Sequence, residues 1–120
     1  MTQKPATLHV EKPWGCFDQF VLNTQCTVKI LTCNPGAKLS LQRHRKRNEF
    51  WVALDTGVVV ELDGKILTPD KGAEIWLPVG STHRLSCAGS GASPVRVLEI
   101  SLGTFDENDI ERLEDVYGRK

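Results

Sequence analysis

Short runs of apolar and β-branched residues recur along this chain, separated by turn formers. Residues 17–22 and 27–32 are rich in aromatic and β-branched side chains, and Asn34-Pro35-Gly36 breaks the pattern before the next run. Residues 50–54 and 58–62 read as further strands, and Asp63-Gly64 is a two-residue hairpin signal leading into residues 65–67. After the breaker Thr68-Pro69-Asp70-Lys71-Gly72, residues 74–77 and 83–86 resume the strand pattern, and residues 88–94 read as a flexible loop. Residues 95–102 set Val95, Val97 and Glu99 against Arg96, Leu98 and Ile100, which predicts a strand buried on one side and partly covered on the other. Residues 1–10 read as a polar arm or an edge strand, and residues 11–15 as a turn that sets Trp14 against the domain. Beyond Thr104 the period changes: Asp106 can cap a short helix with Glu107 and Asp109 in its first turn and Ile110 and Leu113 at helical spacing. Many short strands with Gly and Pro turns, closed by one short C-terminal helix, predict a small all-β sandwich or barrel.

The 120 residues are expected to form one domain over 1–120. With 15 basic and 15 acidic residues the formal net charge is zero, so composition gives no reason to expect a nucleic acid or a membrane as partner. The one basic cluster runs from Arg43 to Arg47. It reads as a solvated loop, or as a set of cations suited to a small phosphorylated substrate. Cys16, Cys26, Cys33 and Cys87 lack metal-type spacing and the N-terminus lacks an apolar signal segment, so a cytoplasmic protein with reduced thiols is expected, one disulfide being left open. No apolar run reaches the length of a membrane span.

Candidate chemistry is concentrated in residues 36–57 and 72–83. In an extended chain Gln42 and His44 point to one face, a turn through Lys46, Arg47 and Asn48 brings Glu49 back to it, and a later antiparallel strand carrying His83 closes the set. Two imidazoles, a carboxylate and an amide oxygen suit one borderline divalent ion, zinc first, with manganese, iron or nickel as alternatives. The spacings G-x5-[H/Q]-x-H-x4-E and G-x5-P-x-G-x2-H resemble the two motifs of the cupin superfamily, with Gln42 where many cupins have His. The fold this implies is a cupin, a double-stranded β-helix or jelly-roll barrel.

A narrower likeness rests on Lys12-Pro13-Trp14-Gly15, Leu39-Ser40-Leu41-Gln42, His44, Arg47, Glu49, Trp51, Pro78-Val79-Gly80, His83-Arg84-Leu85, Glu107-Asn108-Asp109-Ile110 and Glu114-Asp115-Val116-Tyr117-Gly118-Arg119. Over nearly the whole chain it resembles the type II mannose-6-phosphate isomerases, whose cupin domain occurs alone or at the C-terminus of mannose-1-phosphate guanylyltransferases. No nucleotidyltransferase part is present, so guanylyl transfer is not implied. The resemblance implies a zinc-dependent aldose–ketose isomerase interconverting mannose 6-phosphate and fructose 6-phosphate. Its metal ligands would be Gln42, His44, Glu49 and His83, with Arg47 and Arg84 as catalytic candidates beside the ion. Where the family reads His-His-His-Arg-Ala-Glu-His-Trp, this chain has Arg45, Lys46 and Phe50 in place of three of the His.

Isomerisation through a cis-enediol needs a base as well as a Lewis acid. Phe50 cannot be that base, and Lys46 and Glu61 are candidates without a distance, so none is assigned. Trp14, Trp51 and Trp76 read as core residues rather than stacking platforms. Arg84, directly after a ligand His, points to the opposite face of a regular strand and needs a local bend to act. Lys46 and Arg47, in the turn before Glu49, are the expected substrate-binding cations for an anionic sugar. A metal-bearing sugar-binding or regulatory cupin without turnover is the alternative, as is an isomerase or epimerase for another sugar phosphate or nucleotide sugar. The alternating Thr7-Leu8-His9-Val10 suits pairing with a neighbouring chain, which predicts a homodimer.

Overall fold

The computed structural model describes residues 3–88 and 93–119, so the centre of the expected 88–94 loop lies outside the described residues. Every regular element among the described residues is a strand. Leu8–Lys12 (β1) and Gly15–Gln19 (β2) form a two-stranded ribbon. Cys26–Cys33 (β3), Val95–Leu102 (β10), Glu49–Ala53 (β5) and Glu74–Leu77 (β8) form a four-stranded sheet in the order β3-β10-β5-β8. Leu41–Arg43 (β4), Val58–Leu62 (β6), Lys65–Leu67 (β7), His83–Cys87 (β9) and Glu111–Glu114 (β11) make the second sheet, in the order β11-β4-β9-β6-β7. All pairings are antiparallel, and the two larger sheets face each other as a sandwich.

The alternation along β10 decides where the core ends and the site begins. Val95 and Val97 point inward and pack with Trp51, Ala53, Val58, Val60 and Leu85 in the cluster between the sheets. Glu99 and Ser101 continue the same inward row, so one end of the sandwich interior is apolar and the other polar. Ile100 and Leu102 face outward with Phe50 and Val52, and Phe20, Val21 and Trp76 cover them. β5 is therefore buried on both faces.

Two expectations are corrected. The C-terminal segment is the strand β11 rather than a helix: its backbone pairs with β4, Glu111 opposite Arg43 and Arg112 opposite Gln42, so an edge of the second sheet takes the hydrogen bonds a helix would have used internally. Asp106 closes a local turn by accepting from the Asn108 N–H at 2.9 Å. Trp14 is 72% exposed, because it sits at the tip of a ribbon whose strands are exposed along most of their length. Trp51 is core, and Trp76 is partly buried on the outer cluster.

Candidate metal centre

His44 follows β4, Glu49 opens β5 and His83 opens β9, and all three side chains are buried at the polar end of the interior. Their nearest ligand atoms lie within 4.8 Å of one another. Glu49 Oε2 is 3.6 Å from His44 Nε2, and Glu49 Oε1 is 3.9 Å from His83 Nε2.

The surroundings orient each ligand. His44 Nδ1 is 2.6 Å from the carbonyl of Asp109, and His83 Nδ1 is 3.3 Å from the carbonyl of Ser81. A carbonyl only accepts, so both ring protons sit on Nδ1 and both Nε2 lone pairs turn toward Glu49, as the outer partners of metal-bound histidines do. Trp51 stands edge-on to His83, with ring centroids 5.6 Å apart at 89°. Burial holds His83 neutral, its pKa lowered to about 4 against the opposing pull of Glu49.

Asp109 fastens the loop between the ligands. Its carboxylate accepts from the Arg45 and Lys46 N–H groups at 2.8 and 2.9 Å while its carbonyl receives His44. These bonds outweigh burial and keep the carboxyl below its ordinary range. Across the site, Gly80 at φ 83 lets the chain turn after Pro78 and donates its N–H to the His44 carbonyl at 2.9 Å, tying the two ligand loops together.

A divalent ion fits this donor set. Glu49 Oε2 accepts from Arg47 Nε at 2.6 Å and Ser101 Oγ at 3.1 Å, whereas Oε1 is buried with no hydrogen-bond partner. A buried carboxylate oxygen without a donor is costly, and a cation held with the two Nε2 atoms would satisfy it. Arg47 Nη2 lies 3.3 Å from His44 Nε2, so an ion on that nitrogen takes the lone pair from Arg47, which retains Glu49 and the Asp106 carbonyl.

The centre opens into a cavity of about 640 Å³, within the range of small-molecule sites. Gln42 lines it beside its ladder partner His83, and its amide nitrogen donates to the Ser40 carbonyl at 3.4 Å. Arg47 also lines it, stacked on Phe105 with Cζ 4.4 Å from the ring centre. Arg84 is not brought to the cavity: it donates to the carbonyls of Leu39 and Glu114 and lies 4.0 Å from Glu61 on the other face of the sheet. Lys46 is exposed and outside the lining. Nor do the departures from the family motif touch the cavity, since Arg45 and Lys46 are exposed and Phe50 is packed into the outer cluster.

Glu99 is a cavity residue that sequence reading missed. It is buried in the wall, and burial together with the charge of Glu49 raises its carboxyl to about 7, against the opposing charge of Lys29. An acid in phase with Val95 and Val97 on a buried strand face is the signal that could have found it.

A family model described as "Mannose-6-phosphate isomerase C-terminal" matches residues 2–115. The chain belongs to this family. The alginate biosynthesis protein AlgA of Pseudomonas aeruginosa is 40% identical over 111 residues, covering 92% of this chain and 23% of AlgA. The mannose-1-phosphate guanylyltransferase ManC of Salmonella typhimurium is 34% identical over 111 residues, covering 92% of this chain and 23% of ManC. This member of the mannose-6-phosphate isomerase C-terminal family thus spans about a quarter of the length of these relatives. A cupin protein from Bacteroides fragilis superposes with a TM-score of 0.58 at 18% identity, covering 88% of this chain and 85% of that one, and the fold is a cupin. No helix among the described residues is long and apolar enough to cross a membrane.

Proposed function

We propose that this cupin is a metal-dependent aldose–ketose isomerase acting on a phosphosugar, with mannose 6-phosphate and fructose 6-phosphate as the pair. The observation that carries this reading is the meeting, at one cavity, of the His44–Glu49–His83 cluster, which reaches the wall through His83, and a buried wall carboxyl, Glu99. Aldose–ketose conversion moves one carbon-bound proton between adjacent carbons, so it needs a proton carrier shielded from water beside a group that stabilises negative charge on oxygen.

Zinc, or manganese, iron or nickel in its place, would be held by His44, Glu49 and His83 with Gln42 beside them, and would supply Lewis acidity at the sugar oxygens. Glu99 removes the proton from C2 of the aldose and returns it to C1 of the enediol, and the reverse reaction uses the same carboxyl. Arg47 keeps one oxygen of Glu49 engaged and, from the cavity wall, would offer positive charge to the developing oxyanion. The positions of Arg45, Lys46 and Phe50 outside the cavity support catalysis in this chain, because a His at any of them would not enter it.

Proton NMR of zinc-loaded protein with mannose 6-phosphate in deuterium oxide tests the reading. It predicts fructose 6-phosphate carrying deuterium at C1, both product and label abolished in Glu99→Gln at unchanged metal content. Metal-loaded protein that binds the sugar phosphate without interconverting it under any of the four ions would leave a binding or regulatory cupin instead.

A further inference from the structure

Two rows of side chains, one on each sheet, cross the cavity from an edge strand inward. On the four-stranded sheet Lys29 pairs with Glu99 and Glu99 with Trp51, giving the row Lys29–Glu99–Trp51. On the other sheet Arg112 pairs with Gln42 and Gln42 with His83. All six residues line the cavity. Both rows begin on an edge strand, β3 in one sheet and β11 in the other, so each begins with a cation and leads inward toward the ligand cluster. With strands about 4.8 Å apart, each cation stands about 10 Å from the third residue of its row. That distance is comparable with the span of a six-carbon sugar phosphate from C1 to phosphorus.

The two cations also differ from the others in the cavity wall. Arg47 is committed to Glu49, and Arg119 holds Asp115 at 2.9 Å. Among the described residues neither Lys29 nor Arg112 has a carboxylate at ion-pair distance, although Glu99 neighbours Lys29 in the ladder and Glu107 shares the wall. Lys29 Nζ lies 4.1 Å over the ring of Phe105. Arg112 Nε is buried with no hydrogen-bond partner, a donor that an anion would satisfy.

We infer that Lys29 and Arg112 form an anion subsite at the mouth of the cavity that takes the phosphate of the substrate and directs its C1–C2 end to the metal centre. This rests on the phosphosugar reading above and places the phosphate away from Lys46. It also fixes the polarity of binding: phosphate outermost, Glu99 one strand further in, the metal ligands deepest.

Calorimetric titration of zinc-loaded wild type, Lys29→Met and Arg112→Met with mannose 6-phosphate, mannose and inorganic phosphate tests it. Each Met variant is expected to weaken mannose 6-phosphate tenfold or more and to erase its advantage over mannose, with metal content and melting temperature unchanged. Lys29→Arg and Arg112→Lys, which keep the charge, should retain most of the affinity and guard against a folding defect. Wild-type affinity and KM for mannose 6-phosphate in both Met variants would overturn the subsite while leaving the isomerase reading intact. Phosphate binding lost in the variants, from a wild type that turns over no sugar phosphate, would keep the subsite and reject the isomerase. A wild type that binds none of the anions would reject the subsite.

Discussion

Replacing Glu99 by Gln changes how stability depends on pH, and the direction follows from two buried groups that oppose each other. In the folded metal-free protein burial and Glu49 raise the Glu99 carboxyl to about 7 from an ordinary 4.5, whereas burial lowers His83 to about 4 from 6.5. Between pH 4.5 and 7 the native state keeps a proton on Glu99 that the unfolded chain has released. The stability associated with this carboxyl is therefore fully present below 4.5 and lost as pH rises through 7. For His83 the unfolded chain holds the extra proton between pH 4 and 6.5, so stability is present above 6.5 and lost as pH falls through 4. At about 1.4 kcal/mol per pKa unit, each effect amounts to about 3 kcal/mol. From pH 4.5 to 6.5 the two slopes cancel. Glu99→Gln removes one of them, so its stability should climb with pH relative to that of wild type, until the variant exceeds its own low-pH offset from wild type by about 3 kcal/mol at pH 8. Urea unfolding of chelator-treated proteins between pH 4.5 and 8, with equal m-values required, reads this difference. An offset that stays constant across the range would refute the claim that Glu99 is a buried carboxyl with a raised pKa.

Three further outcomes follow. Arg84→Met should lower stability by about 3 kcal/mol, because the buried guanidinium donates to Leu39 and Glu114 carbonyls, yet leave kcat/KM for mannose 6-phosphate within about twofold; a large loss of turnover in folded protein would return Arg84 to catalysis. Phe50→His, which restores the family residue, should cost about 2–3 kcal/mol by burying an imidazole in the outer cluster without raising activity, as thermal melts and the NMR assay would show. A homodimer is expected to cover Leu8, Trp14 and Phe17 on the exposed ribbon, and Trp14→Ser should shift the dimer toward monomer in sedimentation velocity; a monomeric wild type would contradict this.

Much of this architecture is legible from local pattern. The alternation of Val95, Val97 and Glu99 marks a strand with one inward face, and the turn formers Asn34-Pro35-Gly36 and Pro78-Val79-Gly80 flank the segments that carry the ligands. The two-residue periodicity also puts Arg84 out of phase with His83, as the structure has them, and Gln42 lines the cavity beside its ladder partner His83. What local pattern cannot supply is which strand lies beside which. Ile110 and Leu113 carry a helical spacing, but the free edge of β4 draws that segment into the sheet, and this places Arg112 next to Gln42. Glu99 and Lys29 are seventy residues apart and become neighbours only through the β3–β10 ladder. Trp14 fails for a related reason, since an aromatic residue reads as core unless the ribbon that carries it is known to project from the sandwich.

The metal content of purified protein tests the central claim most directly. With Glu49 Oε1 buried without a donor and both Nε2 lone pairs turned toward it, zinc-loaded and gel-filtered wild type should carry about one ion per chain by plasma mass spectrometry, and His83→Ala should carry almost none. Failure of the wild type to take up zinc, manganese, iron or nickel, or full retention of the ion by His83→Ala, would contradict the account.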